Sequence, residues 1–168
     1  MGGGIINRVA NSSLITIDLA DYAPKLQILE LDLKQFLFEG VILKEKEFRK
    51  TLKEFDFSIY NKKVVALFCS SDAIIPMWAY MLATSYLNPL ESKIHFGTKE
   101  DIFQKIFDKN IGKIDPSEFE GAKVIVKGCG HIPLSENLYI AITEKLQPVV
   151  SSLMFGEACS AVPVFKKK

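Results

Sequence analysis

The spacing of apolar residues changes character along the chain. Apolar and polar residues alternate over residues 13–19 (SLITIDL) and 25–33 (KLQILELDL), with a short turn between the two segments. Alternation of this kind predicts two strands that form a hairpin or an edge pair. Between residues 34 and 55, large apolar residues recur at intervals of four and three, which predicts a helical region that Gly40 interrupts.

From residue 63 onward a different order repeats: a short apolar run, a loop, and a segment with apolar residues at helical spacing. The apolar runs are typical of strands buried on both faces. Pro76 suits the first position of the helix that it opens, and Ser135 is a candidate cap for the last helix. The predicted strands cover residues 63–68, 93–97 and 122–128, and the predicted helices cover residues 76–87, 99–110 and 135–150.

Strands that alternate with helices predict an α/β fold. We expect a single three-layer domain over residues 1–168, with a mostly parallel sheet flanked by helices. The antiparallel N-terminal strand pair is expected at one side of that sheet. The C-terminal tail, residues 155–168, contains the strand-like segment AVPVF, and we expect it to pack back near the sheet edge.

The composition argues against several classes of protein. A chain of 168 residues, 48% hydrophobic and 24% charged, fits a soluble globular domain. A net charge of +1 with interspersed signs argues against nucleic-acid binding, and the apolar stretches are too short to span a membrane. Three cysteines in a chain that begins without a secretory signal indicate a reducing cytoplasm, where cysteines serve as thiols or ligands.

Two of these cysteines directly follow predicted strands. Cys69 comes after the strand at residues 63–68, and Cys129 comes after the strand at residues 122–128. Because the carboxyl ends of parallel strands meet at one edge of a sheet, the two thiols are expected at the same edge and, on neighbouring strands, in one site. The alternative is that each cysteine is a small buried apolar residue.

Further candidate ligands surround the cysteines. Asp72 follows Cys69, His131 follows Cys129, and Glu157 precedes Cys159 in the C-terminal segment. Three thiolates with one histidine or carboxylate suit zinc, or iron in a cluster. No Cys-x-x-Cys spacing supports such a site, and Asp72 is equally suited to capping the next helix or binding loop amides. His131 is equally suited to an exposed loop.

Other readings of the same residues remain open. Cys69 as a nucleophile with Cys129 as its resolving partner, or a cysteine paired with His131, predicts a thiol-dependent enzyme that transfers sulfur or acyl groups. The segment GCGHIP lacks the third glycine of a dinucleotide-binding loop, because Pro133 stands there. The segment PMWAYM is typical of core packing, although Trp78 and Tyr80 also suit the mouth of a pocket.

Several motifs resemble those of one bacterial family. LFCSSDAIIPMWAYML, VIVKGC, SLMFGEACSAVPVFKK and IINRVANSSLITIDL resemble the Bacteroidetes-type family called domain of unknown function 2480, over nearly the whole chain. The family has no assigned activity, and the resemblance implies an association with SUF-type iron–sulfur cluster assembly. It also favours Asp72 or Glu157 over His131 as a ligand. The matching positions are Cys69, Asp72, Pro76, Trp78, Gly128, Cys129, Gly156, Glu157 and Cys159.

The sequence and the resemblance together predict a cytoplasmic metal-binding protein. Cys69, Cys129 and Cys159 would hold zinc or iron at the sheet edge, with Asp72, Glu157 or His131 as a further ligand. Its expected partners are iron–sulfur assembly proteins, with neither nucleic acid nor membrane, and the apolar front strands also allow a homodimer. A thiol-dependent enzyme and a non-catalytic protein-interaction module are the two alternatives.

Overall fold

The computed structural model describes the backbone of residues 7–8 and the whole of residues 14–128 and 130–168. These residues form an α/β fold, as predicted. The strands are β1 (Asn7–Arg8), β2 (Leu14–Asp18), β3 (Ile28–Asp32), β4 (Val64–Phe68), β5 (Lys93–Phe96), β6 (Lys123–Lys127), β7 (Ser152–Phe155) and β8 (Val162–Lys166). The α-helices are α1 (Glu45–Glu54), α2 (Met77–Leu87), α3 (Lys99–Gly112) and α4 (Glu136–Leu146).

The chain divides into two compact units, each with a sheet of its own. Lys25–Phe103 contains β3, β4 and β5 and is called the three-stranded unit. Met1–Pro24 and Gln104–Lys168 together contain the other five strands and are called the five-stranded unit. The boundary between the units falls inside α3. The expectation of one domain over residues 1–168 stays a prediction.

The five-stranded unit has the strand order β1-β2-β6-β7-β8. β2, β6 and β7 are parallel, and the outer strands β1 and β8 pair antiparallel with β2 and β7. The C-terminal segment thus returns along the sheet as β8. Pro163 is opposite Met154 where the β7–β8 register shifts, a position in an edge strand where a residue without an amide N–H is tolerated.

The three-stranded unit has the order β3-β4-β5, all parallel. Four of the five residues of the central strand β4 are buried, as expected for a parallel strand covered on both faces. Its main core contains Val65 and Leu67 of β4, Phe48 of α1, and Ala79 and Ala83 of α2. The two alanines are completely buried, so α2 packs on this core through small side chains.

The predicted hairpin between the two front segments is wrong. β2 pairs in parallel with β6, and β3 pairs in parallel with β4, so the two strands belong to different sheets. The local cause is Asp18, whose carboxylate accepts a hydrogen bond from the Ala20 amide at 3.0 Å. This cap opens a short 3-10 helix, Leu19–Tyr22, which buries Leu19 completely and turns the chain away from β2. The antiparallel N-terminal pair is β1 with β2.

The predicted helical region at residues 34–55 is helical at its two ends. A 3-10 helix, Leu33–Phe36, precedes a tight turn in which Gly40 has φ +72°, and α1 follows the turn. Gly40 therefore interrupts the region, as predicted, because an L side chain rarely adopts that backbone conformation. Within the described residues, no helix has both the length and the apolar character needed to cross a lipid bilayer.

Candidate functional site

Cys69 directly follows β4 at the carboxyl edge of the three-stranded sheet. Its thiol is free and half-buried, and it packs against the rim of the apolar core. The loop that it opens runs over residues 69–76 into α2. The position predicted for Cys69, directly after the carboxyl end of a strand, is therefore confirmed.

A carboxylate on the neighbouring strand fixes this loop. One oxygen of Asp32, the last residue of β3, accepts hydrogen bonds from the amides of Ser70 and Lys34 at 3.0 and 2.9 Å. The Ser70 hydroxyl donates to the other carboxylate oxygen. Partial burial raises the pKa of Asp32, but the hydrogen bonds from Ser70 and Lys34 outweigh it and hold the pKa below its ordinary value.

We expect Asp32→Asn to lower the free energy of unfolding near neutral pH by about 1 kcal/mol, allowing for solvent screening. Because the folded-state pKa of Asp32 lies below its ordinary value, its contribution is present above that value. The contribution is lost as the pH falls through the depressed folded-state pKa. Urea unfolding as a function of pH measures both effects. The control is Asp72→Asn, because Asp72 lies exposed in the loop that contains Ser70. An equal loss of stability in the two variants would contradict the stabilising role of the Asp32 hydrogen bonds.

Tyr80 lies beside Cys69 on the first turns of α2. Burial raises the pKa of the Tyr80 phenol, and the neighbouring Cys69 raises it further. The Tyr80 ring packs edge-on against Phe96 at the end of β5, with ring centroids 5.6 Å apart. The edge of the three-stranded sheet therefore carries a half-buried thiol beside two aromatic rings.

The other two cysteines belong to the five-stranded unit. Cys129 lies outside the described residues, and Cys159 lies exposed between β7 and β8. The premise that Cys69 and Cys129 follow strands of one sheet is wrong, since β4 and β6 belong to different sheets. Among the residues that the structure describes, no three histidine, cysteine or acidic residues are placed to hold a metal ion. The three-cysteine zinc or iron site stays a prediction, as does the thiol-dependent enzyme.

The predicted fourth ligands have separate surroundings. Glu157 is ion-paired with Lys127 at 3.4 Å, and Lys127 also lies 3.7 Å from Asp18. Asp72 is exposed and does not cap α2, because Pro76 occupies the cap position and no side chain caps that helix end. His131 lies exposed in the loop before α4.

An exposed apolar surface is the feature that the sequence interpretation missed. Met77 and Met81, one turn apart on α2, are 73% and 71% exposed, and Phe96 is 68% exposed. Together with the half-buried Tyr80, they form what we call the α2 surface. The sequence predicted that the segment PMWAYM packs in the core. This is confirmed for Ala79, which is completely buried, and for Trp78, whose ring centroid lies 5.8 Å from that of Phe48.

A signal for this surface was present in the sequence. Residues 76–90 (PMWAYMLATSYLNPL) contain no charged residue and no histidine, so the outer face of α2 lacks the charged stripe of an ordinary surface helix, and its hydroxyl residues, Thr84 and Ser85, lie in its second half. A largely apolar helix segment is normally buried, yet Met77 and Met81 in the first half of this helix face solvent. The contradiction between composition and exposure marks the α2 surface as a candidate functional site.

Comparison with protein families identifies the chain. The family model described as Protein of unknown function (DUF2480) matches residues 3–167, nearly the whole chain. The chain belongs to this family, which confirms the resemblance seen in its motifs. No curated protein and no solved structure matches it.

Proposed function

We propose that this member of the DUF2480 family is a non-catalytic protein-interaction module that binds another polypeptide chain through the α2 surface. The observation that carries the proposal is the exposure of Met77, Met81 and Phe96 around a helix without charges. Contiguous exposed apolar side chains on a globular unit are typical of interaction sites.

The side chains of this surface suit protein binding. Methionine is unbranched and polarisable, so Met77 and Met81 can adapt to an apolar partner. Phe96 adds a large aromatic side chain, and its contact with Tyr80 holds it beside the helix. Aromatic and methionine side chains are enriched at the buried centres of protein interfaces.

The inner face of α2, beneath the α2 surface, is well packed, and this reduces the conformational entropy lost on binding. Ala79, Ala83 and Leu87 on the inner face of α2 are completely buried. Tyr86 stacks on Phe57, with ring planes 4° apart. The outer side chains therefore project from a helix whose position is already set.

A photo-crosslinking amino acid in place of Met81 tests this proposal in cells that express the full chain. We expect a covalent adduct with another polypeptide, and we expect Met77→Glu to lower its yield at least about ten-fold by placing a charge in the interface. The control position is Ile140, which is 56% exposed on α4 of the five-stranded unit. Equal yields at positions 81 and 140, or none at position 81, would refute the proposal.

A further inference from the structure

Ring contacts show which flank of α2 faces β5. Tyr80 packs against Phe96 of β5, whereas Trp78 packs against Phe48 of α1. Residues three and four apart are neighbours on a helix, so Met77 adjoins both Tyr80 and Met81, whereas Met81 also adjoins Trp78. The α2 surface therefore reaches the outer edge of the three-stranded sheet.

That edge has backbone groups directed outward. Within the described part of the chain, β5 has one neighbouring strand, β4. The Lys93 amide donates to the carbonyl of Lys63, the residue before β4, at 2.9 Å, and the Gly97 amide donates to the carbonyl of Leu67 in β4 at 3.2 Å. Because these groups alternate in direction along a strand, the N–H and C=O groups of Ile94 and Phe96 point away from β4. An edge of this kind is a template for a further strand.

We infer that the polypeptide bound by the α2 surface is a second copy of this chain. In this dimer the two β5 strands pair antiparallel about a two-fold axis, and the two α2 helices pack against each other beside them. The inference rests on the proposed docking function and names its partner. A two-fold interface uses the same patch on both copies, so one contact pairs both strand edges and covers both apolar surfaces.

The distribution of charge suits this partner. Near a two-fold axis each residue lies close to the same residue of the other copy. A charged residue there would therefore face a like charge, which disfavours the dimer. The helix α2 contains no charged residue, so this repulsion does not arise. Antiparallel pairing also brings the exposed Lys93 at the start of one β5 toward the far end of the other. There, residues 99–101 (one lysine, one glutamate and one aspartate) carry one net negative charge. The ends of the paired strands are therefore complementary.

Sedimentation equilibrium of the full chain tests the dimer. We expect a species of twice the 18.8 kDa chain mass at concentrations up to about 100 µM. Met81→Glu is expected to raise the dimer dissociation constant at least about ten-fold, whereas Ile140→Glu leaves it unchanged. Phe96→Ala removes only the ring, whereas Phe96→Pro also removes one outward N–H group without touching a β4 hydrogen bond. Phe96→Pro should therefore weaken the dimer more than Phe96→Ala does.

The crosslinking experiment distinguishes a failure of the dimer inference from a failure of the proposed docking function. An adduct at position 81 with the mass of two chains supports the dimer. A chain that stays monomeric but forms an adduct of a different mass overturns the dimer and leaves the docking function standing. A monomeric chain that forms no adduct overturns both. Circular dichroism of each variant establishes that a lost dimer is not a lost fold.

Discussion

Replacing Phe48 with alanine is expected to lower the free energy of unfolding of the three-stranded unit by about 3–5 kcal/mol. Phe48 is completely buried in α1 and contacts Phe36 and Trp78 edge-on, with ring centroids 6.1 and 5.8 Å apart. Alanine leaves a cavity that the surrounding rings fill only in part. The lost transfer free energy and the lost contacts both destabilise the unit.

Urea unfolding followed by tryptophan fluorescence measures this change, because Trp78 is the chain's one tryptophan and lies in the affected unit. The transition midpoint is the readout, since removing Phe48 also alters the emission of the folded state. Ile59→Ala, at a residue 59% exposed in the same unit, should change stability by about 0.5 kcal/mol or less. Equal midpoints for Phe48→Ala and the unsubstituted chain would contradict the packing described for α1.

The second large effect is expected in the five-stranded unit, where Gly128→Ala should cost about 1–3 kcal/mol by overpacking. Gly128 directly follows β6, and a Cβ added there would overlap with a methyl group of Leu134 and the hydroxyl oxygen of Tyr139. Both side chains belong to the segment that enters and forms α4. Glycine at this position therefore avoids an overlap that the partly buried Leu134 and Tyr139 side chains would have to move to relieve.

Thermal unfolding followed by circular dichroism measures the loss. Gly112→Ala is the matched control, because nothing lies within 4 Å of its added Cβ and alanine favours the helical backbone; it should be neutral or stabilise by up to about 1 kcal/mol. Adding Tyr139→Phe to Gly128→Ala removes one of the overlapping atoms, so the double variant should recover part of the loss. Identical losses for the two glycine variants would show that the overlap is not the cause.

Much of the secondary structure was predictable because it depends on local patterns. The apolar run before Cys69 and the proline before α2 each indicate an element without reference to the rest of the chain. Strand pairing is different, since β2 and β3 have similar alternating patterns and nothing local shows that they enter different sheets. The cap at Asp18, which turns the chain away from a hairpin, is one short side-chain contact.

The candidate site was predictable to the same limited extent. The position of Cys69 at a strand end follows from register, but its separation from the sheet of Cys129 follows only from strand order. The exposed face of α2 was hidden for another reason. Because residues 76–90 carry no charge and their polar residues begin only at Thr84, the first turns of α2 have no polar side that would show which face meets solvent.

The division of the chain also has a consequence for the order in which the protein folds during synthesis. The three-stranded unit is continuous, Lys25–Phe103, so all of its strands and its two packed helices have been synthesised before residues 104–168 are made. The five-stranded unit must instead wait for β6, since Leu14 of β2 pairs with Lys123, 109 positions later (123 − 14). Closing so long a loop costs chain entropy and slows folding. Until then β2 stays without its parallel neighbour, while the surface of α2 and the edge of β5 are already in place on the nascent chain.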